Sequence, residues 1–417
     1  MIGKRNRAVT AVIGVLIASL CLPVSGAAAD YEVYGSIDAA ALYHYTEDPP
    51  AGDRTHDFSA FSELLLKHTL YYPAGSLTAY HGIQKPYDGE ITHTVYNLKA
   101  SLNPASWLSF TAGKQKFGLG SGYAFHPGDI LVRHGSYRAE AEGVASMGIT
   151  VTPSYNYTVS GAVGFDNALD VQKDEFWEEA KLLGYANGYF GNLDVTAAFG
   201  YKKDEIIRPG IYLSADIAGF IITADVAAEF NNTIEYPDFG KDGIVSLETL
   251  SLKTYDKGKP FPMADISLQK TLINGDFSFM WITEYYFHSL GYTKDQTEHY
   301  LTLLAQATQT ASTSDSASSG ESTVAASGML QAPDPVGRHY IYQSVGFDWM
   351  NHFSFENSVV WNILDYSLSS RHMLTASFFQ GINPYTEVKW FWAEEDKSEF
   401  GSVGGNTYIT LGVKVHY

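Results

Sequence analysis

The chain has 417 residues, a single cysteine and a formal net charge of −19. Such acidity argues against nucleic acid as a partner, because phosphate binding needs cationic patches. One cysteine excludes an internal disulfide, and 29 Tyr, 23 Phe, 7 Trp and 38 Gly point to an all-β exported protein.

The first element in chain order is a leader. Lys4, Arg5 and Arg7 precede an apolar run from Ala8 to Leu22, and Ala27-Ala28-Ala29 stands before Asp30. This is the charged, apolar and small-residue order of a secretory signal peptide over 1–29, with cleavage before Asp30. The apolar run is shorter than the ~20 residues a membrane helix needs. Cys21 raises the alternative of a lipoprotein, but Ala18-Ser19-Leu20 fits a lipobox poorly. Cleavage would remove that cysteine, and with it any thiolate metal site or cysteine nucleophile.

From Asp30 onwards, residues alternate between apolar and polar. Thr407, Ile409, Leu411, Val413, Val415 and Tyr417 share one face, while Tyr408, Thr410, Gly412, Lys414 and His416 share the other. The same split recurs, with Ile222, Ala224, Val226 and Ala228 opposing Thr223, Asp225, Ala227 and Glu229. Strands are predicted over 31–45, 58–71, 76–84, 92–101, 107–116, 139–152, 156–166, 176–187, 192–202, 208–217, 220–230, 262–273, 276–288, 339–350, 353–364, 369–379, 385–395 and 405–417.

Tight turns such as Pro153-Ser154-Tyr155, Ala218-Gly219 and Asn274-Gly275 alternate with longer connections, of which 117–138, 231–261 and 289–338 are the longest. A soluble sandwich would also alternate apolar and polar residues. Alternating short and long connections instead indicate a transmembrane antiparallel β-barrel over 30–417, with short periplasmic turns and long extracellular loops. About 18 strands are expected, with 16 the alternative; an even count returns both termini to the short-turn side. Tyr71, Tyr72, Trp107, Tyr155, Tyr157, Tyr189, Phe190, Trp349, Phe353 and Phe379 lie beside the short turns, as an interfacial girdle would. The stretch Ala305 to Gly328 is a Thr/Ser/Ala/Gln tract, so 289–338 is expected as a long mobile extracellular loop.

These residues resemble the Gram-negative outer-membrane porins. The terminal strand Gly412-Val413-Lys414-Val415-His416-Tyr417 is similar to the aromatic-ended signal, here Val413, Val415 and Tyr417, that the outer-membrane barrel assembly machinery reads. Gly113-Lys114-Gln115 running through Gly120 to Phe125-His126-Pro127-Gly128-Asp129 is similar to a strand-plus-loop element of porin-like proteins, with His126 in place of Asn and Leu119 in place of an aromatic. The resemblance implies the outer membrane, its lipid and lipopolysaccharide as surroundings, and small hydrophilic solutes as cargo. It leaves monomer and homotrimer open and selects no subfamily.

It also implies that the third long loop, 117–138, folds inward and narrows the pore. Tyr123, Phe125, Asp129, Arg133, His134 and Arg138 are then the constriction candidates, the charges setting a transverse field. Alternatively the glycines only turn the loop, and Asp129 pairs with Arg133. Alternation sends Glu63, Asp194, Asp216, Asp225, Glu229, Asp265, Glu284 and Glu387 into the lumen, with Lys67, Lys99, Lys181, Lys389 and Lys414 as the inward bases. An acidic lumen predicts weak cation selectivity. No metal or cofactor is expected, since no acidic loop has calcium-loop spacing. No G-x-S-x-G or H-E-x-x-H occurs, so the chain is not expected to be an enzyme. His288, His299, His339, Asp295 and Ser314 keep a rim-site hydrolase as a minor alternative, beside a surface adhesin or structural barrel.

Overall fold

A computed structural model describes residues 30–48, 53–86, 89–115, 121–125, 127, 144–165, 180–203, 205–230, 235–237, 252–254, 258–313, 336–377, 381–393, 398–400 and 406–416. Eighteen strands form one antiparallel sheet. They are β1 (Asp30–Asp48), β2 (Asp53–Tyr72), β3 (Gly75–Pro86), β4 (Thr92–Ala105), β5 (Leu108–Gln115), β6 (Val144–Ser154), β7 (Tyr157–Phe165), β8 (Ala180–Phe190), β9 (Leu193–Lys202), β10 (Ile206–Ile217) and β11 (Phe220–Glu229), then β14 (Phe261–Asn274), β15 (Phe277–His288), β16 (His339–Trp349), β17 (Phe353–Asn362), β18 (Ser367–Ala376), β19 (Ile382–Ala393) and β20 (Thr407–His416). Two short strands, β12 (Glu235–Pro237) and β13 (Leu252–Thr254), pair with each other between β11 and β14.

The ends of the sheet meet. β20 pairs with β1 from Ser36↔His416 to Tyr45↔Thr407, so the sheet has no free edge. Closure is what a lipid setting demands, since an unpaired strand edge has no water to satisfy it. The predicted 18 strands and the closed antiparallel barrel are both present.

Register determines the faces. Ile211, Leu213, Val226, Ile266, Leu411 and Val413 are exposed apolar side chains on the outer face. Directly paired residues share a face, so Tyr212↔Asp225, Asp225↔Asp265 and Thr223↔Ser267 line the other. Exposed aromatic side chains at Tyr71, Trp107, Tyr155, Phe190 and Trp349 ring the short-turn end. Phe379 of that predicted set lies outside the described residues. The turn Ala218-Gly219 holds both residues at positive φ, 56° and 73°, the two-residue geometry that matches strand twist.

Two expectations need correction. β1 and β2 run well past the predicted ends, pairing from Asp30↔Tyr71 to Asp48↔Asp53. Cross-strand bonds support the extension, as the Tyr43 hydroxyl and His56 Nδ1 lie 2.6 Å apart. The loop 289–338, expected without structure of its own, carries helix α1 (Lys294–Thr313). Thr297, Tyr300 and Leu303, three residues apart, are buried, so the helix has a packed face despite its polar composition.

Candidate functional site

The third long connection returns to the inner wall. Strands β11, β14 and β15 bring Asp225, Asp265 and Glu284 together there, all three with no exposed surface. The segment Ser121–Phe125 lies across them with its amides aimed at the carboxylates. Ser121 donates from its backbone N to Asp225 Oδ2 at 2.6 Å and from its hydroxyl to Oδ1 at 2.5 Å. Tyr123 N donates to Glu284 Oε2 at 2.7 Å, Ala124 N to the same oxygen at 3.1 Å, and Phe125 N to Oε1 at 2.8 Å. Ionised acceptors make hydrogen bonds of about 1.5–3 kcal/mol each, roughly twice a neutral pair.

Gly122 makes that approach feasible. A Cβ there would stand 2.1 Å from Phe125 O and 3.0 Å from Asp265 Oδ2, so any larger residue would push the turn off the wall. Side chains complete the dock. The Phe125 ring stacks on Tyr286, with centroids 4.5 Å apart and planes 5° from parallel, and packs with Tyr340, Val360 and Phe400. The Tyr123 hydroxyl donates to Gln269. Burial raises the Tyr123 phenol above its usual pKa, with the Glu284 charge adding to it, so the hydroxyl stays a donor.

Register places the other inward charges on the same face. Arg208 and Glu229 form an ion pair at the long-loop end of β10 and β11. Arg371 bridges Glu387 at 2.8 Å and Glu356 at 3.6 Å, while Lys389 holds Glu387 at 2.9 Å. Glu63 accepts from the Tyr96 hydroxyl at 3.2 Å, Asp194 from Asn187, and Asp216 from Gly219 N at 3.0 Å, capping the turn. Lys414 stands opposite Asp38, and Lys181 opposite Gly164. Lys67 and Lys99 sit opposite Tyr80 and Thr78 on the two sides of β3. Of the predicted constriction set, Tyr123 and Phe125 are part of the docked segment. Asp129, Arg133, His134 and Arg138 lie outside the described residues, as does Tyr417; Val413 is exposed on the outer face.

The acidic lumen therefore needs restating. Asp225, Asp265 and Glu284 are inward but covered by the loop, and Glu229 is buried beside Arg208.

A second cluster joins three long-side connections. The Tyr340 hydroxyl donates to Glu399 Oε2 at 2.5 Å, Asn362 Nδ2 donates to the same oxygen at 2.8 Å, and Glu399 N donates to Asp365 Oδ2 at 2.7 Å. Burial pushes the Glu399 carboxyl up to about 7, against the hydrogen bonds from Tyr340 and Asn362. Burial likewise raises Asp365, opposed by the Glu399 and Ser367 donors and by the Lys294 charge on α1. Sequence reasoning missed Tyr286, Tyr340 and Asp365, and met Glu399 only within the acidic stretch Asp396-Lys397-Ser398-Glu399, which lacks calcium-loop spacing. Only the inward parity of the first two was visible in the alternation. Among the described residues no group of His, Cys, Asp and Glu is disposed to hold a metal ion.

A closed barrel with an apolar outer belt, an aromatic rim and a loop docked inside is the architecture of an outer-membrane porin, and that membrane is where such a wall is stable. Solved structures agree on the fold. The chain superposes on Acinetobacter baumannii OccAB1 with a TM-score of 0.51 at 11% identity, covering 92% of this chain and 96% of that one. Pseudomonas aeruginosa OccK2 (OpdF) gives 0.53 at 9% identity, covering 92% and 97%. Pseudomonas aeruginosa OccK11 (OpdR) gives 0.53 at 7%, covering 93% and 96%. No protein-family model matches the chain, and no curated protein matches it by sequence.

Proposed function

We propose that the chain is a passive outer-membrane channel for small hydrophilic solutes and ions, narrowed by its third extracellular loop. The observation that carries this reading is the segment Ser121–Phe125 held across the inner wall by Asp225 and Glu284. A loop held by charge-assisted bonds inside a barrel of this size narrows an aqueous path without plugging it. Selectivity is weakly cationic in this proposal. Asp225 and Glu284, which accept the loop's amides, contribute a negative field, while the network of Arg371, Glu356, Glu387 and Lys389 is close to balanced. The exposed termini of Arg371 and Lys389 would also hold a small sugar acid, and OccK2 (OpdF) has been crystallised in complex with glucuronate. Val413, Val415 and Tyr417 act as the signal for the barrel assembly machinery.

Single-channel recording of refolded protein in a planar bilayer under a salt gradient tests the proposal. Discrete steps with a cation-side reversal potential support it. A reversal potential on the anion side sinks the cation preference, and a correctly folded barrel without conductance sinks the channel itself.

A further inference from the structure

The Glu399 cluster and the docked loop share side chains. Glu399 comes from the connection between β19 and β20, Tyr340 from the start of β16, and Asn362 and Asp365 from the end of β17 and the turn after it. Phe400 follows directly, its N donating to Ser367 Oγ at 3.3 Å. The Tyr340 ring that reaches Glu399 by its hydroxyl also packs on Phe125, with centroids 5.5 Å apart. Phe400 joins the same buried cluster as Phe125, Tyr286 and Tyr340. Phe125 ends the docked segment, and its amide is held by Glu284 at 2.8 Å. One tyrosine side chain therefore separates the Glu399 carboxyl from the loop that lies across the inner wall.

Ionisation is costly at this junction. Burial disfavours the charged form of Glu399, the bonds from Tyr340 and Asn362 oppose that, and the facing Asp365 carboxylate adds to it. Lys294 on α1 bears on Asp365, and Arg338, just before β16, is bonded to Gly291 O at 3.1 Å. On the other side of the aromatic cluster stand Glu284, under the Phe125 amide, and His288, its ring 6.1 Å from that of Tyr286. Removing the proton from Glu399 sets two carboxylates against each other beneath the rings that cover Phe125.

We propose that Glu399 is a proton switch on the constriction. Protonated, it locks Tyr340 and Phe400 over Phe125 and keeps the pore narrow; ionised, it releases them, and the docked segment with them. The switch rests on the proposed reading that Ser121–Phe125 narrows the channel. Its sign follows from a carboxyl raised from 4.5 to about 7, so the lock is complete below about pH 4.5 and is lost as pH rises through about 7. From about pH 6 to about pH 8 the opening equilibrium should grow about tenfold.

The test uses the refolded barrel at fixed salt, with heat-modifiable migration as the check on folding. Wild-type conductance is expected to grow between about pH 6 and about pH 8, and the Phe125 amide to exchange up to about tenfold faster after correction for intrinsic rate. Glu399→Gln should flatten both responses, and His288→Gln should flatten neither. Phe125 exchange that ignores pH while Glu399 exchange responds would overturn the switch from the wild type alone. So would exchange that responds while conductance stays constant, or a response that survives Glu399→Gln or is lost in His288→Gln. Amide exchange needs no current. A folded barrel that never conducts therefore sinks the channel reading, and the exchange at Phe125 still decides whether Glu399 controls the loop.

Discussion

Two long connections of this barrel carry order of opposite origin. The third is tied to the inner wall by backbone amides on Asp225 and Glu284, with a single ring, Phe125, stacked on Tyr286. The seventh, between β15 and β16, makes its own helix α1 and packs it by Thr297, Tyr300 and Leu303. In the first case the wall supplies the acceptors, and Ser121–Phe125 meets them chiefly with backbone N–H groups, aided by the Ser121 and Tyr123 hydroxyls. In the second the loop supplies the packing face. A wall-held loop should therefore respond to charge, and a self-folded loop to volume.

The sharpest way to break that contrast is Glu284→Ala. It removes the acceptor for the amides of Tyr123, Ala124 and Phe125, bonds of about 1.5–3 kcal/mol each, and should release the segment while the barrel stays folded. Single-channel records are expected to show a larger and noisier conductance. Unchanged conductance would mean that the Asp225 bonds and Phe125 on Tyr286 suffice to hold the loop. Next in size is Leu303→Ala. Leu303 is 1% exposed, and the truncation should cost about 2–5 kcal/mol of local stability, read as faster amide exchange along α1 with conductance steps little altered.

The clasp at Glu399 should respond to pH. Its carboxyl is raised from the ordinary glutamate value of 4.5 to about 7 because burial favours the neutral form. The stabilisation is thus fully present below about pH 4.5 and is lost as pH rises through about 7. Amide exchange at Glu399 and Phe400, corrected for intrinsic rate, should speed up across that window. Glu399→Gln should remove the dependence while keeping acceptors for Tyr340 and Asn362. A pH response that survives this change would assign it to Asp365 instead.

Much of the fold was legible because a strand with lipid on one side and water on the other must alternate, and turns must use residues that tolerate their angles. Inward parity for Asp225, Asp265 and Glu284 follows from that rule alone. What they hold does not, because Ser121 and Asp225 are 104 residues apart and alternation carries no long-range pairing. Likeness named Phe125 as a constriction candidate but not its stacking partner, since Tyr286 looked like any other strand tyrosine. Helix α1 was hidden by composition, since a Thr/Gln/Ala-rich stretch reads as solvated, and the burial of Thr297, Tyr300 and Leu303 is a tertiary fact that composition does not carry.

One local signal for α1 was nonetheless present in Thr293-Lys294-Asp295-Gln296, the spacing of a capping box. The structure forms it: Thr293 N donates to Gln296 Oε1 at 3.0 Å, and Gln296 N lies 3.5 Å from Thr293 Oγ1. Asp295 sits in the first turn, where its charge suits the helix dipole. Thr293→Ala should cost about 1 kcal/mol of helix stability, the smallest effect in this set. Amide exchange of the first turn is expected to quicken several-fold, with exchange at Leu303 and beyond little affected. Should the whole helix exchange faster by the same factor, α1 opens as one unit and the cap is part of its hold on the barrel. Should nothing change, the buried face holds the helix in place and the box is incidental to it.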